Sequence, residues 1–130
     1  MGTRALTFVY DEDGEAIINM YSQYDGYPEG HGSDIARFLD GKRLVNGMAG
    51  DTSMVFNGMG CLAASLVAYF KDAAGGFYLY PTSAKDCGQD YEYHIYKDKI
   101  VIKNFSERDV FSGSWEEFAY FCNATVEETE

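Results

Sequence analysis

Apolar and polar side chains alternate from Thr3 to Tyr10, with Leu6, Phe8 and Tyr10 on one face and Ala5, Thr7 and Val9 on the other. A period of two is that of a β-strand. Asp11-Glu12-Asp13-Gly14-Glu15 breaks the alternation, and its Asp-Gly pair supplies the positive-φ chemistry of a hairpin turn. Residues 16–24 then form a second strand, with Ile18 and Met20 opposite Ile17 and Tyr21. The first quarter of the chain predicts a β-hairpin.

The pattern stops at residues 24–32, where Pro28 and three glycines (Gly26, Gly30 and Gly32) forbid regular structure. Ser33 then reads as the cap of a short helix carrying Asp34 in its first turn and Ile35, Phe38 and Leu39 on its core face, with Gly41 as the stop. Residues 42–60 read as irregular, with a short echo between Asn46-Gly47-Met48-Ala49-Gly50 and Asn57-Gly58-Met59-Gly60. Residues 61–70 are apolar nearly all round and predict a central buried helix, which Gly75-Gly76 ends. Phe77-Tyr78-Leu79-Tyr80 is a strand closed by Pro81. Residues 91–96 and 100–105 make another hairpin about Lys97-Asp98-Lys99. Ser114-Trp115-Glu116-Glu117 is a capping box that opens a last helix through Trp115, Phe118, Ala119, Phe121 and Cys122.

The order β-β-α-α-β-β-β-α, with hairpins and grouped helices, predicts an α+β fold: an antiparallel sheet with about three helices packed on one face. One compact domain over residues 1–123 and an acidic tail at 124–130 account for the 130 residues. Hydrophobic residues make up 46% of the chain, enough for a core without covalent staples. Much of the aromatic content is tyrosine, which suits strand surfaces and half-buried positions.

Charge narrows the partners. A formal net charge of −11, with only Lys42 and Arg43 adjacent among ten basic residues, disfavours polymeric nucleic acid and anionic membranes. It leaves room for a small anionic ligand held by one or two arginines and backbone N–H groups. It also suits an acidic inhibitor that mimics nucleic acid. Cys61, Cys87 and Cys122 show neither a disulfide framework nor zinc spacing, and no run reaches the roughly 20 apolar residues of a membrane span. The expected compartment is a reducing cytoplasm.

The 24–32 loop is the foremost candidate site. Its glycines let a ligand approach the backbone, and its exit is a helix N-terminus, where N–H groups favour an anion. Tyr24 and Tyr27 are placed to stack on a base, Asp25 or His31 to read polar edges, and Gln23 belongs to the same expected ligand-binding set. Arg4, on the neighbouring strand, offers a bidentate fork. Gly26, Gly30 and Gly32 complete the expected ligand-binding set. The competing reading gives the glycines a purely architectural role, with His31 simply hydrogen-bonded. Neither a Walker loop nor a dinucleotide fingerprint is present.

Catalytic candidates are thin. Cys87 and His94, with Asp86 or Asp90 to orient the base, have no surrounding signature, and His31 and His94 have no metal-ligand spacing. Neither a catalytic set, a metal nor a cofactor is expected.

Met1-Gly2-Thr3-Arg4 and the Gln23-Tyr24-Asp25-Gly26-Tyr27-Pro28-x-Gly30-x-Gly32 loop resemble a set of small hypothetical proteins from bacteriophages and bacteria. Asn57-Gly58-Met59-Gly60-Cys61-Leu62-Ala63-Ala64, Gly76-Phe77-Tyr78-Leu79-Tyr80-Pro81 and Asp86-Cys87-Gly88-Gln89-Asp90-Tyr91-Glu92-Tyr93 look like the phage branch. The resemblance reaches about Tyr96 and carries no catalytic residues. It implies an accessory protein acting in the host-cell cytoplasm. The leading expectation is a homo-oligomeric, non-catalytic sponge for a nucleotide-like host immune signal. The alternative is an acidic, nucleic-acid-mimicking inhibitor of a host defence protein. A small hydrolase is the third reading.

Overall fold

The computed structural model describes residues 3–47, 54–106 and 108–129, with side chains as far as Cys122. Residues 48–50 of the Asn-Gly echo and the side chains of the acidic tail lie outside the described residues.

Strands β1 (Ala5–Tyr10) and β2 (Ala16–Ser22) form the expected hairpin, with Thr7 opposite Met20. Its turn is tied by the Asp11 carboxylate, which accepts from the N–H groups of Asp13 and Glu15, both at 2.9 Å. Gly14, at φ 88°, supplies the left-handed residue that the turn needs. Helix α1 (Ser33–Leu39) follows a single π-helical turn, Pro28–Gly32. Two short parallel strands, β3 (Arg43–Val45) and β4 (Val55–Asn57), occupy the stretch expected to be irregular.

Helix α2 (Gly58–Phe70) starts three residues before the expected point because Glu12, in the β1–β2 turn, accepts from the Met59 N–H at 2.8 Å. A carboxylate there satisfies an orphan N–H and the helix dipole together. Met59, Leu62, Ala63, Leu66 and Phe70 are buried, while Ala64 and Tyr69 are exposed. The helix is therefore one-sided rather than buried all round.

Strands β5 (Phe77–Tyr80), β6 (Tyr91–Ile95), β7 (Ile100–Asn104) and β8 (Asp109–Gly113) complete a six-stranded sheet of order β5-β2-β1-β6-β7-β8. All its pairings are antiparallel except β1 with β6. Helix α3 (Trp115–Thr129) opens on the expected capping box: Ser114 N–H donates to Glu117 Oε1 at 2.8 Å and Glu117 N–H to Ser114 Oγ at 3.1 Å. The fold is α+β. Its sheet is mostly antiparallel, and the main core joins three helices to one sheet face.

That core gathers Ala5, Val9, Met20, Tyr93, Ile95, Ile100 and Ile102 from the sheet with Ile35, Phe38, Leu62, Leu66 and Phe118 from the helices. Leu6, Phe8 and Tyr21 form a second cluster on the opposite, outer face, with Tyr10, Tyr80 and Cys87 packed around them. The segment 81–90 is strapped over this face by Asn19, whose Nδ2 donates to the carbonyls of Pro81 and Ala84.

One surface position tests the helix assignment. A Cβ on Gly60, inside α2, would meet nothing within 4 Å, and its φ is not positive. Gly60→Ala is expected to stabilise the protein by about 0.5–1 kcal/mol, because glycine loses the most backbone freedom in a helix. Chemical denaturation reads this as a higher midpoint at unchanged slope.

Candidate functional site

The glycine-rich loop is built by close backbone contacts. Gly26 N–H donates to the Thr3 carbonyl at 2.9 Å, and the Gly26 carbonyl accepts from the buried Tyr93 hydroxyl at 2.6 Å. A Cβ on Gly26 would lie 2.8 Å from the Arg4 carbonyl carbon, and one on Gly30 would lie 2.6 Å from the Asp25 carbonyl oxygen. At Gly32 it would meet Cys122 Sγ at 2.9 Å. These glycines admit neighbouring chain, which is the architectural reading of the loop. Asp25, at φ 56°, takes the left-handed conformation itself, and its carboxylate accepts from the Tyr27 hydroxyl.

His31 lies in the interior. It is 2% exposed, its Nε2 is 2.8 Å from Thr7 Oγ1, and its ring packs against Phe70, Phe77 and Tyr93. Burial without a charge partner pulls its pKa down to about 3. A neutral, enclosed imidazole reads no ligand edge. Ser33 does not cap α1: the π-helical turn runs straight into the helix, and the Ser33 N–H is taken by the carbonyls of Pro28 and Gly30. The Ser33 hydroxyl is buried without a hydrogen-bond partner. At the loop exit expected to face an anion, the Ser33 N–H is thus taken by the chain's own carbonyls.

The other predicted residues are divided between the sheet faces. Arg4 is at the loop base through its backbone, but its guanidinium lies against Gly88 and acts on Tyr21, on the outer face. Gln23 belongs there too, with its Oε1 accepting from the Tyr21 hydroxyl at 2.8 Å. Tyr24 is exposed. The structure therefore brings Arg4 and Gln23 towards Tyr21 and puts His31 and Gly32 on the helix side.

A different constellation gathers on the outer face. Tyr10 on β1 and Glu92 and His94 on β6 meet because Phe8 pairs with His94 in the parallel ladder. Tyr10 Oη is 2.5 Å from His94 Nδ1, and His94 Nε2 is 2.9 Å from Glu92 Oε1. An ionised carboxylate can only accept, so Nε2 carries the proton of the neutral ring and Nδ1 accepts from the Tyr10 hydroxyl. Gln89 donates to the second Glu92 oxygen at 2.8 Å and to the Lys85 carbonyl at 2.7 Å, and accepts from the Cys87 N–H. These bonds fix a chain Tyr10–His94–Glu92–Gln89, in which the His94 ring stacks on Phe8 and the Tyr10 ring on Tyr96.

Beside Glu92 opens a groove of about 410 Å³ lined by Lys85, Asp86, Gln89, Glu92, Phe105 and Ser106. The hydrogen bond from His94 holds the Glu92 carboxyl below its usual range, against the opposing effect of burial. Phe105 is 77% exposed at the rim. Alternation within β6 marks Glu92 and His94 as sharing a face, but no local signal joins them to Tyr10 or to Phe105.

Cys87 and His94 do not form a nucleophile–base pair. Both His94 nitrogens are committed, to Tyr10 and Glu92, and burial with the nearby Asp86 and Glu92 charges pushes the Cys87 thiol up. The residue that orients His94 is Glu92, rather than Asp86 or Asp90. Among the described residues no group of three or more His, Cys, Asp or Glu side chains is placed to hold a metal ion, and no helix is long and apolar enough to cross a membrane. No protein-family model, curated protein or solved structure matches this chain.

Proposed function

We propose that this protein is a non-catalytic binder of a small nucleotide-like ligand, and that the ligand sits in the outer-face groove rather than in the 24–32 loop. The observation that carries the reading is the groove beside Glu92: a floor fixed by hydrogen bonds, a cation at Lys85 and an exposed ring at Phe105. An aromatic ring stacks on any base, Lys85 answers a phosphate, and Asp86 and Glu92 accept from an exocyclic amine. A floor already ordered before binding lowers the entropy cost of ordering it in the complex. The protonated Cys87 thiol and the occupied His94 nitrogens support binding over hydrolysis. In the accessory role that the phage resemblance implies, the ligand is a host immune signal met in the host cytoplasm, and the protein is its sponge.

Thermal denaturation with a panel of cyclic nucleotides and ADP-ribose tests this. A binder at 100 times its Kd gains about 2.7 kcal/mol, a clear rise in Tm. Phe105→Ala is expected to weaken binding of the active compound about 5- to 150-fold, the usual worth of one base–aromatic stack. Chromatography should recover the compound unchanged. The absence of any shift at saturating ligand overturns the proposal, and a shift untouched by Phe105→Ala and Lys85→Ala moves the site away from the groove.

A further inference from the structure

The side chains on the floor of the groove have their hydrogen-bonding roles fixed before a ligand arrives. Gln89 accepts at Oε1 from the Cys87 N–H at 2.8 Å, and its Nε2 donates to the Lys85 carbonyl at 2.7 Å and to Glu92 Oε2 at 2.8 Å. A flipped amide would point its oxygen at two acceptors and its NH2 at a donor, so the network selects this orientation. Both Nε2 protons are then used, and Gln89 keeps none for a ligand.

Glu92 is held from two sides, with Oε1 accepting from His94 and Oε2 from Gln89. The bond from His94 keeps the carboxyl ionised, so it can only accept. Each of its oxygens has room for a second hydrogen bond, and the side chain is 17% exposed where it lines the groove. Lys103, opposite Glu92 in the β6–β7 ladder, acts on its charge but pairs with Asp109 at 3.7 Å. Asp86, exposed and 3.5 Å from the Gly88 N–H, is the looser carboxylate. The polar floor is therefore a pair of acceptor oxygens set in place. Phe105, two residues beyond Lys103, brings its exposed ring to the same groove.

Such a floor discriminates among the bases that a ring can stack. On its Watson–Crick edge guanine carries two donors side by side, N1–H and N2–H, which match the two oxygens of one carboxylate. Adenine and cytosine set a ring-nitrogen lone pair beside their amine, and uracil flanks its single N–H with carbonyls. Each of these turns a lone pair toward an anion. We propose that the ligand of the groove is a guanine nucleotide, with its N1–H and N2–H paired to Glu92 and its ring on Phe105. The assignment rests on the groove being the ligand site. Ser106 gives its N–H to Asn104 and keeps its hydroxyl for guanine O6, while Lys85 remains for the phosphate.

Cyclic GMP, cyclic IMP and cyclic AMP share one ribose and one phosphate, so calorimetric titration with the three isolates the base edge. Cyclic GMP should bind about 5- to 150-fold more tightly than cyclic AMP, the worth of one bidentate pair. Cyclic IMP, which keeps N1–H and lacks the N2 amine, should fall between them. Phe105→Ala should weaken all three by a similar factor, because stacking is blind to the edge. Glu92→Gln, which replaces one acceptor with a donor, should erase the preference, and Asp86→Asn should leave it intact. Cyclic AMP binding as tightly as cyclic GMP overturns the guanine assignment and leaves the groove reading standing. So does a rise in Tm with ADP-ribose, whose base is adenine, where cyclic GMP gives none. No binding by any of these compounds overturns both. A preference that survives Glu92→Gln also overturns the assignment. If that variant loses the amide spectrum of the folded protein, the ranking of the three nucleotides on the wild type decides alone.

Discussion

Between pH 7 and pH 4 the folded protein is expected to lose about 3 kcal/mol of stability through His31 alone. The cause is solvation. His31 is sealed between Thr7 and three aromatic rings, so its charged form is unwelcome in the folded state and freely hydrated in the unfolded one. Its folded pKa of about 3 lies below the ordinary 6.5, and between those values the unfolded chain binds the extra proton. Stability is therefore full above pH 6.5 and is lost progressively as the pH falls towards 3. Denaturant titrations at half-unit pH steps should show this slope. His31→Gln, which keeps a polar group near Thr7 and removes the titration, should flatten it. Glu92 contributes in the same direction at lower pH: its depressed pKa means stability present above its ordinary value and lost as the pH falls through the folded one. The difference between wild type and His31→Gln cancels that carboxylate. If the two profiles run parallel from pH 6.5 to pH 4, His31 is not buried as described.

Gly30→Ala is expected to be among the most damaging single-methyl changes in the chain, at about 2–3 kcal/mol. The new Cβ would stand 2.6 Å from the Asp25 carbonyl oxygen and 3.0 Å from the Tyr27 ring. That oxygen is not able to retreat cheaply. It accepts from the His31 N–H at 2.8 Å, and Asp25 already holds φ 56°. Pushing it away opens the turn that seats His31, so the loss should exceed simple overpacking of a flexible side chain. The comparison with Gly60→Ala is informative because the same chemical change is expected to have opposite sign at the two positions. Equal effects at both would mean that the loop yields easily and that its glycines are not there for packing.

These two expectations recast the glycine-rich loop. In the sequence its composition suits both a ligand cradle and a tight strand-to-helix connection. The distances around Gly26, Gly30 and Gly32 favour the connection, because the space that a Cβ would fill holds the Arg4 backbone, the Asp25 carbonyl and the Cys122 sulfur. The outer face took the opposite course. There His94 stood out only as a weak partner for Cys87, and the pairing of β1 with β6 gathered it instead with Tyr10 and Glu92 into a polar chain.

What the sequence by itself determined is local. Alternation defined the β1–β2 hairpin and its two faces, Asp11 and Gly14 defined its turn, Gly41 ended α1, and Ser114 with Glu117 opened α3. Each rests on contacts within a few residues, which periodicity and turn chemistry encode directly. The tertiary structure decided the rest. The pair β3–β4 has three residues in each strand, too few for a pattern, and the edge strand β8, absent from the expected order, is largely exposed and shows no apolar alternation. Ser33 lost its capping role because a π-helical turn runs directly into α1, which makes Gly32 the cap and binds the Ser33 N–H to the carbonyls of Pro28 and Gly30. Tyr10 met His94 across 84 residues because a parallel ladder placed the two strands side by side. Such a pairing depends on how the whole core packs, and no short stretch of sequence records it.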